Sequence, residues 1–179
     1  GGVSKNRSWA FYETIGVGLG GMKGKDGTDG IQSNMTNTMN TPIEEIEKNY
    51  PILVKKYEFR KDSSGPGEFR GGSGLVRSFQ MLENGITITV LSERGKSQPW
   101  GLFGGMPGER TSVYVKKNKR KYRSSIKVTL TLQNGDSIEI RTAGGGGYGD
   151  PKKRDRNEIL KDLENGLISK KYSKKYYDY

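Results

Sequence analysis

The 179-residue sequence contains no cysteine and no histidine. Their absence excludes thiol catalysis, disulfide bonds, imidazole bases and zinc sites built from these two residue types. Any chemistry that the chain carries must therefore use carboxylates, hydroxyls, amides, lysines and arginines. A chain without disulfides is also compatible with the reducing cytoplasm, where we expect this protein to reside.

Large apolar residues are scarce as well. Leucine, isoleucine, valine and phenylalanine together provide 36 of the 179 residues, which is close to the limit at which charged chains stop folding alone. No apolar run is long enough to cross a membrane. The sequence begins with Gly1 and carries no signal-peptide pattern, so we expect a fragment or a processed subunit that depends on a partner.

Positive charge is abundant and uneven. The net charge is +11, and the densest basic run is "KKNKRKYR", from Lys116 to Arg123. Such a run could bind nucleic acid, with Tyr122 stacking on a base. The run lacks interleaved aromatic residues and any nucleic-acid motif, which favours a solvated hairpin tip between two strands.

Alternating apolar and polar residues predict strands in the centre and second half of the chain. The clearest are "ILVKKYEFR", "GLVRSFQM", "ITITVLSER", "TSVYVKK", "IKVTLTL" and "SIEIRT". Asn84-Gly85 and Asn134-Gly135 each separate two of these segments, and Asn-Gly readily forms a two-residue hairpin turn. We therefore predict a mainly β, β-rich α+β protein, with antiparallel sandwich-like sheets, glycine-rich loops and two peripheral helices.

The first predicted helix occupies residues 41–51. Thr41 is the expected N-cap, Pro42 the first helical residue, Glu44 the partner in a capping box and Pro51 the stop signal.

The second predicted helix starts at Asp155 and ends at Gly166. Its apolar stripe is Ile159, Leu160 and Leu163. The basic, tyrosine-rich tail that follows is expected to be ordered only where it docks on something. We expect one domain, 1–179, that comprises a glycine-rich loop region (1–40), a helix (41–51), an antiparallel β region (52–150) and a C-terminal helix with a basic tail (151–179).

Glycines are concentrated in loops, above all in "GVGLGGMKGKDGTDG" (16–30) and "RTAGGGGYGDP" (141–151). The first loop formally contains G-x-G-x-x-G, but no helix-forming segment follows it to hold a pyrophosphate. Phosphate-loop and calcium-loop patterns are also incomplete. We therefore expect structured loops whose glycines adopt positive φ or let backbones approach closely. The glycines expected to have this structural role are Gly16, Gly18, Gly21, Gly145 and Gly146.

Four long segments occur in a recognisable order. They are "YETIGVGLGGMKGKDGTDGI", "MTNTMNTPIEEIEKNYPILVKKYEFRKDSSGPGEFRGGSGLVR", "SERGKSQPWGLFGGMPGE" and "GDSIEIRTAGGGGYGDP", and the helix "RDRNEILKDLENGLIS" follows them. In this order they resemble the C-terminal part of the hydantoinase B family, the module shared by N-methylhydantoinase, 5-oxoprolinase and acetone or acetophenone carboxylases. The resemblance covers nearly the whole chain.

The resemblance implies a domain or subunit of an ATP-dependent complex. A hydantoinase A-type ATPase would phosphorylate an amide or carbonyl oxygen, and the B module would complete ring opening or carboxylation of a small cyclic amide or ketone. ATP and a divalent metal are expected elsewhere in the complex, the metal on an N-terminal hydantoinase B segment. No cofactor is expected on this chain alone. Family members commonly have histidine near Gln32 and Asn34, so the chain departs from the family there.

The resemblance also implies that the loop of residues 16–30 lines a substrate cavity. Carboxylates and amides could bind the N–H and C=O groups of an imide ring, and an arginine could hold a carboxylate or phosphate. The candidate substrate-binding residues are Asp26, Asp29, Asn37, Thr38, Asn40, Arg70 and Arg94. No catalytic or metal-binding residue is predicted. For the two aspartates, stabilisation of Asp-Gly turns is an equal alternative, and Trp100 is expected in a core or an interface.

Two further functions stay open. A non-catalytic scaffold that binds a partner chain is favoured by the missing histidines and the small apolar content. A basic nucleic-acid-binding domain is supported only by the charge.

Overall fold

The computed structural model describes residues 1–4 and 7–179. The strands in this part are β1 (Gly2–Ser4), β2 (Arg7–Trp9), β3 (Ile52–Phe59), β4 (Leu75–Met81), β5 (Ile86–Leu91), β6 (Ser112–Lys117), β7 (Arg120–Ser124), β8 (Lys127–Leu132) and β9 (Ser137–Arg141). The helices are α1 (Ile43–Asn49), α2 (Arg156–Glu164) and α3 (Lys170–Tyr176), with a 3-10 turn at Pro151–Lys153. None of the described helices is long and apolar enough to span a bilayer.

The strands form a larger and a smaller sheet that share one core. The larger sheet has the order β3-β4-β9-β6-β7, the smaller sheet pairs β5 with β8, and β1 pairs with β2. All these pairs are antiparallel. Apolar side chains from both sheets, including Phe79, Ile86, Val115 and Leu132, pack into one cluster. The predicted mainly β, antiparallel class is therefore confirmed.

The predicted Asn-Gly hairpins are wrong in one respect. Gly85 and Gly135 do have positive φ, 75° and 83°, but the strands that they join belong to different sheets. β4 pairs with β3 and β9, whereas β5 pairs with β8. Each Asn-Gly turn therefore leads from one sheet to the other. The two strands that it joins face each other across the core and do not pair with each other.

A hairpin does form where the basic run lies. β6 pairs with β7, and the turn residues Asn118 and Lys119 have φ of 51° and 64°. Both central residues therefore have the left-handed conformation of a tight hairpin turn. The interpretation of Lys116 to Arg123 as a hairpin tip between two strands is confirmed.

The first helix is shorter than predicted. It runs over Ile43–Asn49, its N-cap is Pro42, and no side chain caps it. Thr41 is therefore not the N-cap and Glu44 does not close a capping box. The reason is that Pro42 has an extended backbone, with ψ of 141°, so the helix begins one residue after it.

The C-terminal part contains one more helix than predicted. Asp155 caps α2 as expected, because its side chain accepts hydrogen bonds from the N–H groups of Asn157 and Glu158. The helix ends before Gly166, whose φ is 71°. The tail then forms α3, and the Tyr172 hydroxyl donates to the carbonyl oxygen of Ser64. The tail is thus docked on the chain itself.

The glycine-rich loops form a layer with almost no space between backbones. Gly145 N–H donates to the Gly72 carbonyl at 2.8 Å, and Gly72 N–H donates to the Leu19 carbonyl at 2.7 Å. A Cβ added to Gly145 would lie less than 3.0 Å from the Leu19 carbonyl oxygen. Collagen uses glycine for the same reason, because only a hydrogen atom fits between closely packed chains.

The two glycines singled out in the second loop do not need positive φ. Gly145 and Gly146 are absent from the left-handed residues of the described chain, so this part of the expectation is wrong. Close approach is the cause instead, since a Cβ on Gly146 would lie within 3.0 Å of the Trp100 carbonyl oxygen. The same crowding applies to Gly16, Gly18 and Gly21.

Candidate functional site

A cavity of about 640 Å³ lies between the two sheets. One wall is β5 and the opposite wall includes Phe79, Met81 and Ile138 from the larger sheet. The segment from Trp9 to Val17 and the residues after Gly30 close the remaining sides. The predicted cavity loop therefore contributes its two ends, near Gly16 and Ile31, while Asp26 and Asp29 are not among the lining residues.

Hydroxyl and amide groups form a connected cluster at this cavity. Gln32 Nε2 donates to Thr14 Oγ1 at 2.6 Å, and both residues line the cavity. Asn40 Nδ2 donates to the Thr14 carbonyl oxygen at 2.7 Å. Thr38 is hydrogen-bonded to the Thr14 hydroxyl. Two predicted site residues, Thr38 and Asn40, therefore reach the cavity wall through Thr14.

Asn37 is exposed and belongs to a turn. Its N–H donates to the Ser33 carbonyl oxygen at 2.8 Å. Ser33 lines the cavity, whereas Asn37 does not. Substrate contact by Asn37 stays a prediction.

A buried ion pair lies beside the cluster and was missed by the sequence analysis. Arg77 Nη2 and Nε donate to the two carboxylate oxygens of Glu13 at 2.9 and 3.0 Å. The Arg77 side chain is 1% exposed, and its guanidinium lies 4.3 Å from the centre of the Tyr57 ring. The signal was an arginine in phase with Phe79 and Met81 on the inward face of β4.

Asp26 and Asp29, which are half-buried, belong with the buried Arg70 to a second polar network. Arg70 donates from Nη1 and Nη2 to the two oxygens of Asp29, at 2.8 and 3.1 Å. Arg154 donates in the same bidentate manner to Asp26, at 2.8 and 2.7 Å. Asp162 joins the two arginines, because it accepts from Arg70 Nε at 2.9 Å and from Arg154 Nη2 at 2.8 Å. The network fastens the first glycine loop to α2.

The charges in this network stabilise one another. Burial alone would raise the pKa of Asp29, yet hydrogen bonds from Arg70 and the Ser73 N–H hold that pKa below its ordinary value of 3.8. Burial alone would likewise lower the pKa of Arg70 and Arg154, but the aspartates raise both above the ordinary value. Burial raises the pKa of the nearby Tyr177 to about 12.

Asp26, Asp29 and Arg70 are thus paired with other charged residues of the chain itself. Substrate binding by Asp26, Asp29 or Arg70 stays a prediction. Two members of the network, Arg154 and Asp162, were missed. The sequence held one signal, because Asp162 lies three residues after the buried Ile159 and therefore on the inward face of α2.

The last predicted site residue, Arg94, lies on the surface. It is exposed and has a φ of 58°. Its guanidinium lies 5.0 Å from the centre of the Trp100 ring. Trp100 itself is 66% exposed, so of the two expected positions the core is wrong and the interface stays a prediction. The structure does not bring Arg94 into the buried network of Arg70.

The fold and the two buried polar clusters define a class of protein: an antiparallel sandwich whose glycine-rich loops are fastened to a C-terminal helix. The family described as Hydantoinase B/oxoprolinase matches residues 1–151. The chain belongs to this family, as the sequence resemblance predicted.

One relative extends the match into the C-terminal helices. An uncharacterized protein of Methanocaldococcus jannaschii is 50% identical over 97% of this chain and 30% of its own length. A 5-oxoprolinase of Dictyostelium discoideum is 44% identical over 78% of this chain and 11% of its own length. The crystal structure of ATP-dependent caprolactamase from Pseudomonas jessenii is 30% identical, with a TM-score of 0.77, over 91% of this chain and 29% of that chain. The chain thus spans under a third of each.

Proposed function

We propose that this chain is the C-terminal domain or a small subunit of an ATP-dependent hydantoinase, 5-oxoprolinase or ketone carboxylase complex. The observation that carries this proposal is the family match over residues 1–151. The match includes the loop of residues 16–30, which the buried Arg70 and Arg154 hold in place. In this assignment the chain contributes substrate-cavity loops and contacts to other subunits.

The cavity chemistry supports a small amide substrate. Its apolar walls suit a hydrocarbon ring, and the hydroxyl and amide groups of Thr14 and Gln32 suit the N–H and C=O groups of a cyclic amide. A ketone could use the same hydrogen-bond donors. The resemblance implies a histidine near Gln32 and Asn34 in many family members, and in this proposal the Gln32 amide takes its role at the cavity.

The proposed partners are a hydantoinase A-type ATPase and an N-terminal hydantoinase B segment, and the proposed location is the cytoplasm. ATP and a divalent metal would be bound by those partners. The three carboxylates of the network with Arg70 and Arg154 do not fit a divalent metal, because Asp26, Asp29 and Asp162 each accept hydrogen bonds from an arginine guanidinium. No step through a metal is therefore assigned to them.

The test is reconstitution of the three parts: this chain, an N-terminal hydantoinase B segment and the ATPase. We expect ATP-dependent turnover of hydantoin, 5-oxoproline or acetone by the assembly and none by the chain alone. Gln32→Leu should lower turnover, whereas Gln80→Leu, on a half-buried residue outside the cavity, should not. Turnover by the isolated chain, or an assembly inactive on every substrate class, would contradict the proposal.

The same experiment tests the alternative of a non-catalytic scaffold. The absence of histidine favours this alternative. A scaffold would assemble with its partners, but Gln32→Leu and Gln80→Leu would then have equal and negligible effects on turnover. Salt-dependent RNA or DNA binding by the Lys116–Arg123 hairpin would instead support the third function.

A further inference from the structure

The edge of β5 that faces away from β8 is only partly hydrogen-bonded. Gly1 and Thr87 exchange two hydrogen bonds, because the Gly1 nitrogen donates to the Thr87 carbonyl at 2.9 Å and the Thr87 N–H donates to the Gly1 carbonyl at 2.9 Å. Such reciprocal bonds define an antiparallel pair. The backbone polar groups of Thr87 therefore point away from β8 and towards this edge.

The next residues on the same edge have no backbone partner in residues 1–4 and 7–179. Strand polar groups alternate with a period of two, so the N–H and C=O groups of Thr89 and Leu91 point the same way as those of Thr87. The pairing with β8 agrees, because Ser92 N–H donates to the Ile126 carbonyl on the opposite edge. Thr89 and Leu91 make no backbone hydrogen bond on the open edge.

The apolar cavity runs along this open edge. All residues from Ile86 to Ser92 line it, which places the cavity beside the strand's backbone as well as beneath its inward face. The inward residues Ile86 and Val90 are buried, whereas Leu91 is 81% exposed. The open edge and the cavity are therefore one continuous surface.

This surface is unusual for a finished sandwich. Protein interiors are packed as densely as organic crystals, with few voids larger than a water molecule. A cavity of about 640 Å³ with apolar walls is far larger. The smaller sheet also has only two strands against the five of the larger sheet, and isolated two-stranded sheets are marginally stable.

We propose that a β-strand from the remainder of a hydantoinase B-type protein adds to β5, antiparallel to it and in line with β1. Its backbone would pair with Thr89 and Leu91, and its inward apolar side chains would cover only the part of the cavity that lies along this edge, leaving Thr14 and Gln32 to the substrate. The inference rests on the proposed function. The matched region is 30% of the Methanocaldococcus relative and 29% of the caprolactamase chain, so the family has ample sequence to supply such a strand.

In the experiment, the segment that precedes the matching region in the Methanocaldococcus protein is joined to Gly1 of this chain. The joined protein is then compared with the 179-residue chain. Amide hydrogen exchange is measured residue by residue. We expect the Thr89 and Leu91 amides to exchange at least about tenfold more slowly in the joined protein. The Thr87 amide, already bonded to Gly1 in the chain alone, is the internal control.

Two matched variants separate pairing from a general gain in stability. Ile88→Lys places a charge on a half-buried residue that lines the cavity, and it should remove the protection of the Leu91 amide in the joined protein. Thr89→Lys, on the exposed side of the same strand, should preserve it. The comparison of unsubstituted proteins decides the proposal even where Ile88→Lys folds poorly.

Unchanged exchange at Thr89 and Leu91 in a folded joined protein would overturn the proposal. Protection in the chain alone that rises with its concentration would also overturn it, because the occupant would then be a second copy. Protection of the two amides without turnover in the reconstituted assembly would leave the strand and refute only the proposed function. Turnover without protection of these amides would support the proposed function and refute the added strand.

Discussion

The sandwich core and the glycine-rich layer are stabilised in opposite ways. In the sandwich, side chains such as Val113, Val115 and Leu132 are fully buried, and burial of apolar surface supplies the free energy. In the layer, backbones pack against one another at Gly72 and Gly145, where a side chain has no room. The comparison teaches that this chain reaches a close-packed structure despite its few large apolar residues.

The layer also depends on charge. Its loops carry few side chains that could bury apolar surface, and the buried pairs of Arg70 and Arg154 with three aspartates hold them against α2. A buried ion network repays its desolvation only where geometry and hydrogen bonding are good. The sandwich has one comparable pair, Glu13 with Arg77, in the part of the chain that the structure describes.

The largest effect is expected from a substitution that breaks the network of Arg70, Arg154 and the three aspartates. Arg154→Met removes the bidentate partner of Asp26 and leaves Asp162 with Arg70 alone, and it should lower the free energy of unfolding by about 3 to 5 kcal/mol. Lys152→Met is the matched control, because Lys152 is 73% exposed and pairs with Asp178 only at the surface. Urea unfolding measures both. Equal, small losses would show that the network adds nothing beyond a surface pair.

A similar loss should follow from a cavity in the sandwich. Leu132 is fully buried, so Leu132→Ala removes apolar contacts that the surroundings cannot replace and should cost about 2 to 5 kcal/mol. Leu160→Ala, on a residue 40% exposed, is the control and should cost less. Thermal unfolding followed by circular dichroism checks both. A loss at Leu160 as large as that at Leu132 would contradict the placement of the core.

Substitution by alanine should have different effects at two glycines of the layer. Gly146→Ala would force Cβ against the Trp100 carbonyl and should cost about 1 to 3 kcal/mol through overpacking. Gly20→Ala is the control, because its nearest heavy atom would lie 3.7 Å from the added Cβ. Both melting temperatures are compared with that of the unsubstituted chain. If Gly146→Ala were as harmless as Gly20→Ala, the layer would be a flexible link after all.

The smallest expected effect is on the free energy of unfolding at acidic pH. The pKa of Asp29 is lower in the folded chain than its ordinary 3.8, so this carboxylate stabilises the fold above that value. The stabilisation is lost as the pH falls through the folded pKa. Asp29→Asn should therefore weaken the acid dependence of the unfolding free energy between about pH 5 and pH 2.

The control for acid is Glu93→Gln. Lys127 also lowers the pKa of Glu93, but this pair is exposed and screened by solvent. Urea unfolding at several pH values should show a smaller change for Glu93→Gln. The same or a steeper acid dependence in Asp29→Asn would contradict the role given to Arg70.

Much of the local structure could be predicted. The N-cap at Asp155, the end of α2 before Gly166 and the strand around Val113 all depend on residues a few positions apart. The candidate site could be predicted only in part. Its loop was found, but the residues that line the cavity, such as Thr14, carried no distinctive pattern.

Sequence patterns therefore determined six of the nine described strands, β3 to β6, β8 and β9, where the basic hairpin turns and that glycines would pack closely, because each depends on near neighbours and on the size of one side chain. Only the tertiary structure decided which strands pair. The alternation on either side of Asn84-Gly85 satisfies a hairpin and a sheet crossing equally well. It also decided that Asp26 meets Arg154, 128 residues away, since a charge pattern does not specify which opposite charge the fold will bring to it.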